Sequence, residues 1–231
     1  MPHLFDLPPR PEIAMAGSGS HFPVGRIFCV GQNYAAHARE MGFEPQRKAP
    51  IWFTKAAAAT CLSGSTIPYP PGTADCHYEI ELVVAIGSPG FRIAQADAMS
   101  LIEGYGVGID LTRRDLQSAA RGQGHPWDTG KDFENAAIFA PLSPASAFGE
   151  PGKQQIALSQ NGEPRQDATL DQMIWSVPEL IADLSRMYHL APGDLIFTGT
   201  PAGVGPIAPG DRLVGTIEGL AQLTLTIGQP E

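Results

Sequence analysis

Short apolar runs alternate with glycine- and proline-bearing turns along the chain, and most of the runs have the length of strands. Arg26-Ile27-Phe28-Cys29-Val30 reads as a buried strand stopped by Gly31, after which Asn33 is placed to cap a short helix over Tyr34 to Met41. A polar loop, Gly42 to Pro50, leads to a second strand, Ile51-Trp52-Phe53-Thr54. Tyr78 to Ile86 predicts a longer strand that is almost continuously apolar after Glu81, so its second half is expected to be covered on both faces. Ala94 to Ile102 has helical spacing. The run Gly104-Tyr105-Gly106-Val107-Gly108-Ile109 suits a strand closely approached by other parts of the chain, and it delivers Asp110 at its end. A further helix is expected over Arg113 to Ala120. In "QIALSQNGEPRQ" the pair Asn161-Gly162 is the preferred one for a type I′ hairpin turn. Ser176-Val177-Pro178-Glu179 forms a capping box for a helix running to about His189. Leu195-Ile196-Phe197-Thr198 is a strand followed by a glycine-rich loop, and Arg212–Ile217 and Leu220–Ile227 close the chain. The pattern is mixed α/β, mainly β, with a few short helices.

Glycine (26) and proline (22) are frequent in these 231 residues but follow no period, which indicates many tight turns rather than disorder or a collagen-like repeat. With 43% hydrophobic residues the chain can bury one sizeable core. A single domain over residues 22–231, preceded by a Pro/Gly-rich arm over 1–21, is expected. A formal net charge of -9 argues against a surface for polyanions, so nucleic acid is not an expected partner. Cys29, Cys61 and Cys76 are odd in number and lack Cys-x-x-Cys spacing, which points away from a disulfide framework and a thiolate zinc site. No run reaches the ~18 apolar residues needed to span a bilayer, and the N-terminus lacks the pattern of a secretory signal. A cytoplasmic protein with no membrane partner is expected.

Glu79-Ile80-Glu81 carries the most information, because side chains two apart on a strand share a face, with Cα atoms ~7 Å apart. Two carboxylates so placed repel unless a cation or proton intervenes, and oxygen-rich sites select Mg²⁺, Mn²⁺ or Ca²⁺. The plain alternative is a solvated strand edge. Asp110 ends an apolar strand where a lone carboxylate is costly to bury, although it is also placed to cap the following helix. His77 shares the parity of Glu79 and Glu81, which makes a His-Glu-Glu site conceivable. His37 and Glu40 lie three apart on the short helix, where the carboxylate can hold the imidazole in one tautomer and make it a general base; an ordinary solvated pair has the same spacing. Lys131, in "HPWDTGKDF", reads by itself as a surface lysine. "TGTPAGVGP", Thr198 to Pro206, suits a fixed loop presenting backbone N–H groups and Thr200 to a ligand, but it lacks the Gly-Lys-Ser/Thr of a phosphate loop.

Six segments in order, "CVGQNYAAHAREMG", "HYEIELVVAIG", "GYGVGIDLTRRDLQ", "PWDTGKDF", "QNGEPRQ" and "DLIFTGTPAGVGP", resemble the fumarylacetoacetate hydrolase family from about Phe22 to Ile227, with the nearest likeness to its short fumarylpyruvate and acylpyruvate hydrolases. The resemblance implies a β-roll of mixed sheets, a homodimer, and one Mg²⁺ or Mn²⁺ held by Glu79, Glu81 and Asp110. It implies further that His37 and Glu40 form a water-activating dyad on a lid. Arg114, Gln117, Lys131 and Thr200 fall at substrate-contacting positions, and Lys131 with Gln117 is expected to stabilise an oxyanion. The activity implied is hydrolysis of a carbon–carbon bond in a small 2,4-dioxo acid, in aromatic-ring breakdown. Oxaloacetate decarboxylation, dienoate isomerisation or hydration, and a non-catalytic metal-binding β module are the competing readings. The chain departs from the pattern at Gln32, where arginine is common, at Tyr78, where a second histidine is common, and at "TKAAAA", which replaces a lysine-proline start while retaining Lys55.

Overall fold

A computed structural model describes residues 4–6, 8–42, 44 and 47–231. Phe43, Pro45 and Gln46 of the expected polar loop lie outside the described residues. A large mixed sheet forms the centre. Its neighbours run in the order Ile51–Lys55, Ile27–Gly31, Leu195–Phe197, Ile80–Ile86, Ile102–Asp110, Ala137–Phe139 and Thr60–Leu62, with Ser143–Pro144 against the start of Ile102–Asp110. Leu195–Phe197 pairs parallel with Ile27–Gly31, as Ala137–Phe139 does with Thr60–Leu62; the other pairings on this path are antiparallel. All seven residues of Ile80–Ile86 are buried, which is why that run shows no polar alternation.

A second sheet, ordered Glu163–Thr169, Gln155–Gln160, Arg212–Ile217, Leu223–Ile227 and Thr66–Ile67, stacks on one face of the first. Ile156, Leu158, Gln166, Leu213, Ile217, Leu223, Leu225 and Ile227 are among its buried side chains, at the alternate positions a two-residue period demands. The contact is close, since a Cβ on Gly215 would lie 2.9 Å from Ile80 Cδ1 and 3.4 Å from Val107 Cγ1. Ile80, Leu82, Val107 and Ile109 therefore face the second sheet, and the alternate set Glu79, Glu81, Gly108 and Asp110 faces the other way. Gly108 has no room for a side chain: a Cβ there would sit 2.5 Å from Phe197 Cε1 and 2.6 Å from Val83 Cγ2.

Smaller pieces complete the molecule. Glu12–Ala14 pairs with His21–Pro23, burying Ile13 and Phe22, and the Ala16 N–H donates to the Leu142 carbonyl at 2.7 Å. Asn161 and Gly162 adopt φ of 56° and 87° in the expected hairpin. The helix Val177–Met187 begins with the predicted box: the Glu179 carboxylate accepts from the Ser176 N–H at 2.9 Å and from its hydroxyl at 2.8 Å. It ends two residues before His189, because the chain turns extended at Tyr188 and Leu190 bridges Gly90. Gln95–Leu101 is a 3₁₀ rather than an α-helix. Its three-residue period lines up Ala98 and Leu101 as the buried pair. No described helix is long and apolar enough to cross a membrane.

Candidate metal centre and active site

The strand expected over Tyr78 to Ile86 is divided at Glu79. Cys76–Tyr78 is the middle strand of a small sheet between Thr112–Arg113 and Gly205–Pro206, while Ile80–Ile86 belongs to the large sheet. The chain changes sheets at Glu79 without losing the pairing that matters: the Asp110 N–H donates to the Glu79 carbonyl at 2.9 Å, and Glu81 stands opposite Gly108. Cross-strand neighbours share a face, so Asp110 comes beside both glutamates. One carboxylate oxygen of each of the three lies within 4.8 Å of the others, and all three residues are buried.

Three cations meet these carboxylates. Lys131 Nζ donates to Glu79 Oε2, Asp110 Oδ2 and Thr112 Oγ1, each at 2.7 Å, which uses all its protons. Arg114 pairs with Glu79 Oε1 and donates to Gln117 Oε1 at 2.5 Å. The Lys55 ammonium, also wholly buried, lies 2.8 Å from Asp110 Oδ1 and donates to the backbone carbonyls of Leu111, at 3.1 Å, and Lys131. Burial alone would raise the pKa of Glu79, but Lys131 and Arg114 hold it well below the usual carboxylate range. Burial, then Asp110 and Glu79, push Glu81 well above that range, against the Lys131 charge and the N–H of Gly199, which donates to Glu81 Oε2 at 2.6 Å. For Lys131, burial opposes the charged form, yet Asp110 and Glu79 raise its pKa to about 12.

The donor set suits a hard divalent cation. It is all oxygen, and Asp110 Oδ1, buried, accepts no hydrogen bond despite the nearby Lys55 ammonium. Glu79, Glu81 and Asp110 are thus the residues fitted to hold Mg²⁺ or Mn²⁺.

His37 sits on the helix Ala35–Glu40, its ring 3.0 Å through Nδ1 from Glu40 Oε2. Glu40 Oε1 accepts from the Gly203 N–H at 3.0 Å, which ties this helix to the glycine-rich loop. The N-cap is Tyr34, not Asn33 as expected. Asn33 is drawn instead into three bonds, accepting from the Trp175 N–H at 2.7 Å and donating to the carbonyls of Trp175 and Thr198 at 2.9 and 2.8 Å. Buried amide groups favour the arrangement that satisfies most partners, and capping would leave several unmet. His37, Glu79, Glu81, Arg114, Gln117, Lys131 and Thr200 all line one cleft. The Thr200 hydroxyl donates to the Ile80 carbonyl and accepts from Gln166 Nε2, both at 2.8 Å, so it braces the wall of the cleft. His77 is not in the carboxylate cluster; its Nε2 faces Asp75 Oδ1 at 2.8 Å.

Residues 26–228 match the family described as "Fumarylacetoacetate (FAA) hydrolase C-terminal". The chain belongs to the fumarylacetoacetate hydrolase family. A fumarylpyruvate hydrolase of Ralstonia sp is 50% identical over 182 residues, covering 78% of this chain and 94% of that protein. An oxaloacetate tautomerase of Escherichia coli (strain K12) is 39% identical over 199 residues, covering 86% of this chain and 90% of its own length. The crystal structure of fumarylpyruvate hydrolase from Pseudomonas aeruginosa in complex with Mn²⁺ and pyruvate superimposes with a TM-score of 0.95 at 48% identity, covering 99% of this chain and 100% of that one.

In this member of the fumarylacetoacetate hydrolase family, three residues under the site carry no sequence signal of their role. Lys55, retained where "TKAAAA" departs from the family pattern, ends an apolar strand and lies beneath Asp110. Thr112 holds Lys131 through its hydroxyl. Gln166, fully buried on Glu163–Thr169, accepts from the Ile80 N–H at 3.0 Å and donates to Thr200 and the Pro201 carbonyl.

Proposed function

We propose that this protein hydrolyses the C3–C4 bond of a 2,4-dioxo acid, with fumarylpyruvate as first candidate and acetylpyruvate as second, giving pyruvate and a carboxylic acid. The observation that carries the reading is one cleft lined both by Glu79 and Glu81 of the buried three-carboxylate cluster and by His37, whose ring Glu40 holds. Held by Glu79, Glu81 and Asp110, a Mg²⁺ or Mn²⁺ ion supplies Lewis-acid stabilisation of negative charge on pyruvyl oxygens. Glu40 accepts the Nδ1 proton of His37, which leaves the Nε2 lone pair to take a proton from water. The hydroxide adds to the C4 carbonyl, and Gln117 and Lys131 supply donors to the oxygen that becomes negative. Lys131 does so by releasing one of its three present acceptors. The C3–C4 bond then breaks, its electron pair remaining with the pyruvyl fragment, and C3 takes up a proton.

The relatives support fumarylpyruvate as the first candidate, since a fumarylpyruvate hydrolase is 50% identical and the oxaloacetate tautomerase 39%. A role in aromatic-ring breakdown in the cytoplasm and a homodimeric state belong to the same reading, and exposed Ile51, Phe91, Met187 and Tyr188 offer apolar surface for a second copy. Release of pyruvate from fumarylpyruvate and acetylpyruvate, abolished by chelation and restored by Mg²⁺ or Mn²⁺, tests the proposal. Oxaloacetate turned over with a far higher specificity constant, or hydrolysis that survives exhaustive chelation, would overturn it.

A further inference from the structure

The helix Arg114–Gly122 runs along the cleft and sends three side chains into it: Arg114, Gln117 and Arg121. Spacings of three and seven put them on one helical face, and Arg114 and Arg121 are two turns, about 10 Å, apart along the axis. The two arginines sit in opposite surroundings. Arg114 is 7% exposed and bound to Glu79 and Gln117 at the carboxylate end. Arg121 is exposed, at the helix end away from that cluster. Val30, Met41, Phe53 and Trp127 give the same cleft an apolar part of its lining, and Glu79 and Glu81 are the acidic residues among the described residues that line it.

We infer that Arg121 is a specificity-determining residue that recognises the distal carboxylate of a dicarboxylic 2,4-dioxo acid. The inference rests on the function proposed above. A substrate whose C1 end lies at the carboxylate cluster and whose carbon chain follows the helix carries its far end toward Arg121. In a seven-carbon diacid the terminal carbons are about 7 Å apart across six carbon–carbon bonds of ~1.5 Å, so the distal oxygens come within reach of a long guanidinium arm two turns from Arg114. Arg114 and Lys131, the other arginine and lysine lining the cleft, lie at its opposite end, beside Glu79 and Asp110. A planar guanidinium can pair both oxygens of a carboxylate at once, which selects a diacid over an acyl group ending in methyl.

The readout is the ratio of kcat/KM for fumarylpyruvate to that for acetylpyruvate, measured for wild type, Arg121→Gln and Arg121→Lys. Hydrogen bonds to a charged group correspond to roughly a 10- to 100-fold effect. Arg121→Gln is expected to lower the ratio by that factor, chiefly through a higher KM for fumarylpyruvate, and Arg121→Lys to restore part of it. Raising the ionic strength should increase the wild-type KM for fumarylpyruvate more than that of the variant. A wild type active on both substrates with a ratio unchanged in Arg121→Gln, whether or not both activities fall, would overturn the role of Arg121 alone. A wild type that hydrolyses neither compound would overturn the proposed function, and this inference with it.

Discussion

Lys55→Met removes the ammonium that lies under Asp110 while keeping most of the side-chain volume. Both side chains of the pair are fully buried, 2.8 Å apart, so water cannot replace the lost charge. Breaking a buried ion pair on one side costs about 3–5 kcal/mol, because the partner is left uncompensated. Lys131 still pairs with Asp110 at 2.7 Å, which places the expected loss near 3 kcal/mol rather than 5. At about 3 kcal/mol per molar urea, the unfolding midpoint of the metal-free protein should fall by about 1 M. The same change should strengthen metal binding. Lys55, Lys131 and Arg114 already face the three carboxylates, and a divalent cation adds two further positive charges to that cluster. Unit charges 4 Å apart at an effective dielectric of 20 interact by about 4 kcal/mol, so relief of even a third of that is a tenfold gain in affinity. Urea titrations with chelator and with saturating Mn²⁺, together with calorimetric titration of Mn²⁺, measure both effects. A variant as stable as wild type in chelator, or one that binds Mn²⁺ more weakly, would refute the electrostatic account of Lys55.

Three other outcomes follow from the structure. Gly108→Ala forces a methyl to within 2.5 Å of the Phe197 ring and should destabilise the fold by about 1–3 kcal/mol in chemical denaturation. His37→Ala should reduce hydrolysis by roughly 10²- to 10⁴-fold with Mn²⁺ affinity nearly unchanged, and Glu40→Gln should do less; wild-type-like turnover by His37→Ala would remove the dyad from the mechanism. Asp211 titrates below the ordinary carboxylate range, because hydrogen bonds from Asn161, the Ala208 N–H and Gln160 outweigh the burial that would raise it. Its contribution to stability is therefore complete above the ordinary pKa of about 3.9 and is lost as the pH falls through the lower folded value. Asp211→Asn should be destabilised at pH 7, and the gap from wild type should close in acid.

Periodicity and turn chemistry located the longer strands, the Asn161-Gly162 hairpin and the Ser176 box, since those signals are local, while strands as short as Thr60–Leu62 and Ala137–Phe139 hold too few residues for a period to show. Asn33 misled for a physical reason: its local use as a cap competes with three bonds to Trp175 and Thr198, residues more than 140 positions away. The Glu79 and Glu81 pair was legible as a shared face, and Asp110 as a costly carboxylate at a strand end. That the two features are one cluster depends on register, through Glu81 opposite Gly108, and register is invisible to a two-residue period. Lys55 was hidden because its partners come from the chain around residues 110 and 131, brought under it only by the assembled sheet.

Glu81 and Asp110 stand on two adjacent strands that meet closely at Gly108, with Glu79 at the junction just before the first, whereas Arg114, Gln117 and Arg121 ride on one short helix outside that frame. Inheritance can treat the two parts differently. Substitutions in the helix beyond Arg114, which itself pairs with Glu79, alter what the cleft accepts without removing a contact to the carboxylates, while a methyl added at Gly108 disturbs the ground on which Asp110 stands. New substrates should therefore arise in this lineage by drift along the helix and the facing loop, with the paired strands carried through unchanged, and grafting residues 114–122 from a relative is the corresponding route for an engineer.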